Sequence, residues 1–152
     1  MLVLGFRTSP TEVRYALLEI DGQDATFTNA NGENRLKFPN GMTTADQKLP
    51  WLHSECERIL RQNQNIEGVV IKTSEYGRRS ETANVRLATY MEGVLINLAG
   101  QKNIPLSVKT YASLGTSRSA VKAFAAAKAG QSQTIWNEQM ADAVAAAWAG
   151  RN

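Results

Sequence analysis

Gly68-Val69-Val70-Ile71 is the stretch of the sequence that decides the fold class. Apolar residues in an unbroken run, without alternation, are typical of a strand that is covered on both faces, as in the parallel part of an α/β sheet. The run lies between two segments with helical spacing, 44–60 before it and 81–99 after it. A buried strand between two helices predicts a layered α/β domain.

Three segments rich in strand-forming residues precede the first helical segment: 3–6, 13–20 and 25–28. Turn-forming residues separate them, with Pro10 in the first connection and Gly22 in the second. Short turns between consecutive strands favour antiparallel pairing. The N-terminal part of the chain therefore predicts three antiparallel strands.

The remainder of the chain predicts one more strand and three helices. Residues 105–111 form a strand pattern, and Ser80 is the expected N-cap of the helix over 81–99. Ser119 is the expected N-cap of an alanine-rich helix that ends at Gly130, and a final helix is expected over about 134–149. The order βββαβαβαα predicts an α/β fold with a five-stranded mixed sheet, three antiparallel strands followed by two parallel strands, flanked by helices in a single domain, 1–152.

Composition excludes several classes of site. The chain has 152 residues and 43% hydrophobic residues, which suits one globular core. Cys56 is the only cysteine and His53 the only histidine, so neither an intramolecular disulfide nor a zinc site built from His and Cys is expected. No stretch approaches the roughly 18 apolar residues of a membrane span, and residues 1–10 lack the pattern of a signal peptide. We therefore expect a cytoplasmic protein without membrane contact.

The charge is distributed unevenly along the chain. Residues 1–71 contain seven Lys and Arg against nine Asp and Glu, whereas residues 72–152 contain ten against five. A basic half favours a polyanionic partner, although a solvated lysine-rich surface would give the same bias. The candidate nucleic-acid contacts in this half, besides Lys72, are Arg78, Arg79, Arg118, Lys122 and Lys128.

Three motifs together resemble Holliday-junction resolvases of the RuvC type. Val3-Leu4-Gly5-Phe6-Arg7 resembles their first strand, which reads apolar-Leu/Ile-Gly-Ile-Asp, and Gly68-Val-Val-Ile-Lys72 is similar to their fourth strand, which ends in a catalytic glutamate. Glu138-Gln-Met-Ala-Asp142-Ala-Val-Ala resembles their C-terminal Asp-Ala helix. A small bacterial family of RuvC-like proteins, whose fourth strand also reads Val-Val-Ile-Lys, has a similar layout. The resemblance spans nearly the whole chain and implies a ribonuclease H-like fold.

The resemblance also implies where a catalytic site would lie. In that superfamily, acids on the first strand, the fourth strand and the last helix hold two divalent ions about 4 Å apart. Here Arg7 and Lys72 occupy the first two positions, and Asp142 alone matches directly. One cation beside a divalent ion costs about 8 kcal/mol at an effective dielectric of about 20. We therefore expect a degenerate site in which these three side chains converge and which holds no cofactor.

The sequence leaves three functions open. The first is nucleic-acid binding, most plausibly of DNA, by a domain that has lost two-metal hydrolysis; Arg7 and Lys72 then either pair with Asp142 as an ion cluster or bind a phosphate. The second is an active nuclease that uses Mg²⁺ or Mn²⁺ with relocated acids, for which Glu75, Glu138 and Asp142 are the candidates. The third is a non-catalytic interaction module that forms a homodimer through the helix over 81–99.

Overall fold

The computed structural model describes residues 1–75 and 82–151. The strands are β1 (Leu2–Thr8), β2 (Glu12–Asp21), β3 (Asp24–Phe27), β4 (Arg35–Lys37), β5 (Ile66–Lys72) and β6 (Leu106–Lys109). The helices are α1 (Ala45–Gln62), α2 (Ala83–Gln101), α3 (Tyr111–Leu114), α4 (Val121–Ala129) and α5 (Glu138–Ala149). In the part of the chain that the structure describes, no helix is both long and apolar enough to cross a membrane.

The sheet has the predicted mixed arrangement. Its strands follow the order β3-β2-β1-β5-β6, with β1–β2 and β2–β3 antiparallel and β1–β5 and β5–β6 parallel. The predicted fold class is confirmed, and one short strand is added to it. This strand, β4, pairs with β2 because Leu36 is buried opposite Val13.

Helices cover both faces of the sheet. Since side chains alternate along a strand, Val3 faces the α4–α5 layer and Leu4 faces the α1–α2 layer. The α1–α2 layer is built from large side chains such as Leu52 and Met91. The α5 layer is built largely from alanines, and every residue of α5 from Met140 to Trp148 is buried.

Gly5 allows α5 to lie directly on the sheet. A Cβ atom at this position would lie 2.1 Å from the carbonyl oxygen of Ala143 and 2.5 Å from the backbone nitrogen of Ala147. Both distances are below any van der Waals contact, so only glycine fits. The glycine of β1 and the alanines of α5 therefore set the distance between the strand that carries Arg7 and the helix that carries Asp142.

Several predicted boundaries change. The strand over 105–111 ends at Lys109, because Thr110 caps α3 and turns the chain out of the sheet before Tyr111. Ser119 does not cap α4, whose N-cap residue is Ala120. The last helix begins at Glu138 rather than near Thr134, since the Asn137 side chain accepts a hydrogen bond from the Met140 backbone N–H there.

The start of α2 differs from the prediction as well. Its N-cap is Thr82, whose side chain accepts a hydrogen bond from the backbone N–H of Val85. Ser80, the predicted cap, lies outside the described residues, as do Arg78 and Arg79.

Candidate site at the carboxyl end of the central strands

A row of basic side chains crosses the sheet near the carboxyl ends of β1 and β5. Residues directly opposite each other on neighbouring strands project from the same face, and like charges in such positions destabilise a sheet. Four such pairings place five cations in one row: Arg35, Arg14, Arg7, Lys72 and Lys109. The row therefore requires acids close by.

Glu12 is the acid at the outer end of the row, beside Arg35 and Arg14. Its carboxylate forms an ion pair with Arg35 and lies 3.5 Å from Nη2 of Arg14. Arg14 is buried, and its Nε is left without a hydrogen-bond partner. Burial accordingly lowers the pKa of Arg14, and the carboxylate of Glu12 opposes that shift.

Arg7 and Asp142 form a direct ion pair at the centre of the row. Nε of Arg7 donates to Oδ2 of Asp142 at 2.9 Å, and the Asp142 side chain is completely buried. Nη1 of Arg7 donates to the backbone oxygen of Thr8 and to Oγ of Ser74, each at 2.8 Å. The guanidinium is thus held in one orientation by β1, by α5 and by the segment after β5.

Tyr111 joins Asp142 to Lys72. Its hydroxyl donates to the two carboxylate oxygens of Asp142, with distances of 2.9 and 3.1 Å. Its ring lies under the buried ammonium of Lys72, whose Nζ is 3.7 Å from the ring centroid. One side chain therefore contacts both an acid and a cation of the site.

Glu75 completes the environment of Lys72. Its Oε2 lies 2.8 Å from Nζ of Lys72 and accepts a hydrogen bond of 2.9 Å from the backbone N–H of Tyr111. Nζ of Lys72 also donates to the backbone oxygen of Thr73 at 2.6 Å. We call the five side chains joined in this way the central ion network: Arg7, Lys72, Glu75, Tyr111 and Asp142.

Glu92 supports this network from α2. It is buried, and it accepts hydrogen bonds from Oγ1 of Thr73 at 3.2 Å and from the backbone N–H of Ser74 at 3.1 Å. Burial raises the pKa of its carboxyl, against the effect of these hydrogen bonds. Glu92 therefore holds the segment after β5 in place. This segment carries Ser74, whose hydroxyl accepts a hydrogen bond from Arg7.

The pKa shifts within the network have separable causes. Burial raises the pKa of Asp142, and the hydrogen bond from Tyr111 and the charge of Arg7 oppose the rise. Burial and the neighbouring carboxylate of Asp142 raise the pKa of Tyr111, so its hydroxyl remains a donor at neutral pH. Burial alone would raise the pKa of Glu75, but the hydrogen bonds from Lys72 and from the N–H of Tyr111 bring it below its usual value.

The network does not fit a divalent ion. Both carboxylate oxygens of Asp142 already accept hydrogen bonds, from Arg7 and from Tyr111, and the ammonium of Lys72 lies over the Tyr111 ring. Among residues 1–75 and 82–151, no group of three or more His, Cys, Asp or Glu side chains lies close enough together to hold a metal. The side chains of this site bind one another and do not form the set of oxygen ligands that Mg²⁺ prefers.

The structure brings together four of the candidate residues that it describes: Arg7, Lys72, Glu75 and Asp142. The sequence predicted the convergence of all of these except Glu75. Glu138 instead pairs with Nε of Arg118 at 2.8 Å, at the surface.

Three further basic candidates lie among the described residues, and all are exposed. Arg118 is 78% exposed, and Lys122 and Lys128 are exposed on α4. Lys72 is the exception, because its complete burial removes it from any surface that a nucleic acid could touch in this structure.

Two members of the site were missed from sequence. Glu92 is a single acid within a long apolar segment, which is a signal that could have identified it. Tyr111 follows the last strand at the edge where Lys72 ends β5, but its contacts with both Lys72 and Asp142 depend on the turn at Thr110.

No protein-family model matches the chain, and no curated protein sequence matches it. Solved structures do match, and Holliday-junction resolvases, including RuvC, are among them. The fold is therefore the RuvC-like, ribonuclease H-like fold that the motifs predicted.

Three of these structures illustrate the likeness. RuvC of Thermus thermophilus in complex with a Holliday junction substrate has a TM-score of 0.76 and 18% identity, over 98% of this chain and 92% of that one. A second structure of T. thermophilus RuvC has a TM-score of 0.77 and 17% identity, with the same coverage. The yeast mitochondrial Holliday junction resolvase has a TM-score of 0.61 and 12% identity, over 97% of this chain and 77% of that one.

Proposed function

We propose that this chain binds nucleic acid, DNA above all, without hydrolysing it by two-metal catalysis. The observation that carries the proposal is the ion pair of Arg7 with Asp142, closed by Tyr111 and Lys72. Two cations and a hydroxyl surround the matched carboxylate, so the positive charge that metals supply elsewhere is supplied here by the protein. Because this carboxylate is already paired, the site lacks the means to activate water, and the preference for phosphate rests on the basic side chains that reach the surface.

Three features of the described residues support binding. Arg7 is 16% exposed, and its Nη2 makes no hydrogen bond to a residue in the described ranges. Arg118, which pairs with Glu138 at the start of α5, and Lys122 on α4 add basic side chains that are exposed. The T. thermophilus structure with the same fold holds a Holliday junction, which makes branched DNA the first ligand to test.

Fluorescence anisotropy with labelled single-stranded, duplex and four-way DNA tests the binding. We expect an affinity that falls with salt, and a log–log salt slope that is smaller by about 2 in the Arg118→Ala/Lys122→Ala variant. The matched control is Lys37→Ala/Arg61→Ala, which removes the same charge from elsewhere on the surface and should leave the slope nearer the parent value. Dissociation constants weaker than about 100 μM for every DNA form at low salt would refute the proposal.

A cleavage assay tests the loss of hydrolysis. Junctions, flaps and hybrid duplexes should remain uncut in Mg²⁺ and in Mn²⁺. Nicking that depends on metal and disappears in Asp142→Asn would support the alternative, an active nuclease that uses Asp142 with Glu75 or Glu138.

The converse experiment restores acids at the two cationic positions. The Arg7→Asp/Lys72→Glu variant should bind Mn²⁺, and electron paramagnetic resonance would detect this binding. The parent chain should not bind Mn²⁺. The same double variant with Asp142→Asn added is the control, because it removes the matched ligand. Equal Mn²⁺ binding by the parent chain would contradict our interpretation of the network.

A homodimer through α2 is a second proposal, which rests on a different observation. Tyr90 and Ile96 on this helix are 50% and 45% exposed, although the opposite side of α2 lies in the core. Sedimentation velocity should show a dimer that Ile96→Glu dissociates. Val108→Glu is the control, since Val108 is 43% exposed on the edge strand β6, and a parent chain that sediments as a monomer would refute the dimer.

A further inference from the structure

A second concave surface lies beside the central ion network. It is a cleft of about 490 Å³ between the end of β6, α3, α4 and the C-terminal end of α5. Three cations from separate elements line it: Lys109 at the end of β6, Lys128 on α4 and Arg151 after α5. We call this surface the lateral cleft.

The cations of the lateral cleft have no acidic partner in the described ranges. None of the residues that line the cleft is acidic, and none of the three cations takes part in an ion pair there. Lys109 is also the last member of the cross-strand row, directly opposite Lys72. Asp142 and Glu75 pair with Arg7 and Lys72, and Arg14 and Arg35 share Glu12, whereas Lys109 forms no ion pair with any described residue.

Trp148 holds the other two cations at the cleft. The guanidinium of Arg151 lies 4.1 Å from the indole centroid, and its Nη1 donates to the backbone oxygen of Trp148 at 3.1 Å. Nζ of Lys128 lies 5.6 Å from the same ring. Because contact with an aromatic face leaves the hydrogen-bond donors of a cation free, both can still bind an oxyanion.

We propose that the lateral cleft binds a phosphate group, carried either by a nucleic-acid strand or by a small polyphosphate. Like charges that converge on one concavity raise its positive potential and are offset when an anion enters. Lysine and arginine together give a phosphate both point charges and a planar set of donors. This inference goes beyond the proposed function, because the cleft would take a phosphate even if the central ion network bound no DNA.

Nuclear magnetic resonance of the tryptophan indole N–H groups tests the inference with inorganic tripolyphosphate. The indole signal of Trp148 should shift saturably, with a dissociation constant below about 1 mM. The signal of Trp51, which packs on Phe38 on the other face of the sheet, should stay in place. A Trp148 signal that moves no further than that of Trp51, both with tripolyphosphate and with a single-stranded pentathymidylate, would overturn the inference.

Paired variants make the test specific. Lys109→Ala/Lys128→Ala should bind tripolyphosphate about tenfold more weakly, as expected when two exposed charge contacts are lost. Lys37→Ala/Arg61→Ala removes the same charge elsewhere and should bind within about twofold of the parent. An equal loss in both variants would show binding by net charge only and would overturn the site.

A single-stranded pentathymidylate distinguishes the two sources of the phosphate. A Trp148 shift with the oligonucleotide alone assigns the cleft to a nucleic-acid strand, and shifts with both probes assign it to phosphate groups in general; either result supports the site. Absence of a shift with both probes overturns it. The proposed DNA binding can fail separately, because its variants, Arg118→Ala and Lys122→Ala, lie outside the residues that line the cleft.

Discussion

The central ion network and the lateral cleft meet at two neighbouring cations of the basic row, Lys72 and Lys109. The charge of Lys72 is neutralised by an acid, and that of Lys109 is not neutralised by any described residue. Lys72 is buried and contacts Glu75, Thr73 and Tyr111, whereas Lys109, its neighbour across the sheet, has no such acid in the described ranges. A charge withdrawn from water requires partners within the protein, while an exposed charge has water as its partner. The comparison indicates that the buried cation of this pair requires an acid within the protein, whereas Lys109, which keeps contact with water, can remain available to a ligand.

The largest effect should come from Asp142→Ala. This change leaves Arg7 and Tyr111 without their shared acceptor and should lower the free energy of unfolding by about 3 kcal/mol or more. Urea denaturation at neutral pH measures the loss. Asp24→Ala, on the exposed edge strand β3, is the control and should cost less than about 0.5 kcal/mol. A loss below about 1 kcal/mol for Asp142→Ala would mean that the carboxylate does not organise the network.

Glu75→Gln should have a smaller effect that depends on pH. We expect a loss of about 2 kcal/mol at neutral pH, since the buried Lys72 keeps only the Thr73 oxygen and the Tyr111 ring. The pKa of Glu75 is lowered in the folded state from its usual 4.5, so its contribution is complete above pH 4.5 and is lost as the pH falls through the lowered pKa.

Urea titrations at neutral pH and at about pH 3 would compare the Glu75→Gln variant with the parent. The gap between them should narrow at the lower pH as the parent carboxylate takes up a proton. Glu138→Gln is the control, because its partner Arg118 is exposed, and it should cost less than about 0.5 kcal/mol. A gap that widens on acidification would contradict the assigned direction of the Glu75 shift.

Tyr111→Phe separates the two contacts of this residue. The ring over Lys72 is retained and the hydroxyl donor to Asp142 is lost, so we expect a loss of about 1 kcal/mol in the free energy of unfolding. Tyr90→Phe, at an exposed position of α2, should cause no measurable change. Equal stability of Tyr111→Phe and the parent would show that Arg7 alone satisfies Asp142.

The smallest effect should come from Lys109→Ala/Lys128→Ala. Because Lys109 is half-buried, Lys128 is exposed and neither forms an ion pair with a described residue, the free energy of unfolding should change by less than about 0.5 kcal/mol. Any gain from reduced repulsion should disappear near 1 M salt, where the Debye length is about 3 Å. Denaturation at two salt concentrations measures both quantities, and a loss above about 1 kcal/mol would show that the lateral cleft is already neutralised from within the chain.

The sequence alone predicted the parts of the fold that depend on the spacing of apolar and turn-forming residues. The apolar run of β5, together with the strand-forming segments and turns of the N-terminal part, predicted the mixed sheet, and the helical spacing predicted α1, α2 and α5. Boundaries set by a single cap were not predictable in the same way, because Thr110 and Thr82 compete with neighbouring residues that are equally good caps.

The site was predicted only where a motif fixed the position of a residue. Arg7, Lys72 and Asp142 lie at strand ends or on a helix that the motifs identified, so their convergence followed. The cross-strand row was not predictable, because Arg14, Arg35 and Lys109 enter it through strand register, which no short motif contains. Tyr111 and Glu92 likewise depend on the packing of α2 and α3 against the strand ends.

Gly5 has a consequence for how this site can change. A single methyl group at Gly5 would push α5 away from β1 and lengthen the distance between Arg7 and Asp142. A substitution at Gly5, two positions from Arg7 in the apolar interior, would therefore weaken the ion pair by increasing the distance between β1 and α5. The charged residues of the site can be substituted without changing this distance. The chemistry of the site can therefore change while Gly5 keeps β1 and α5 at a fixed separation.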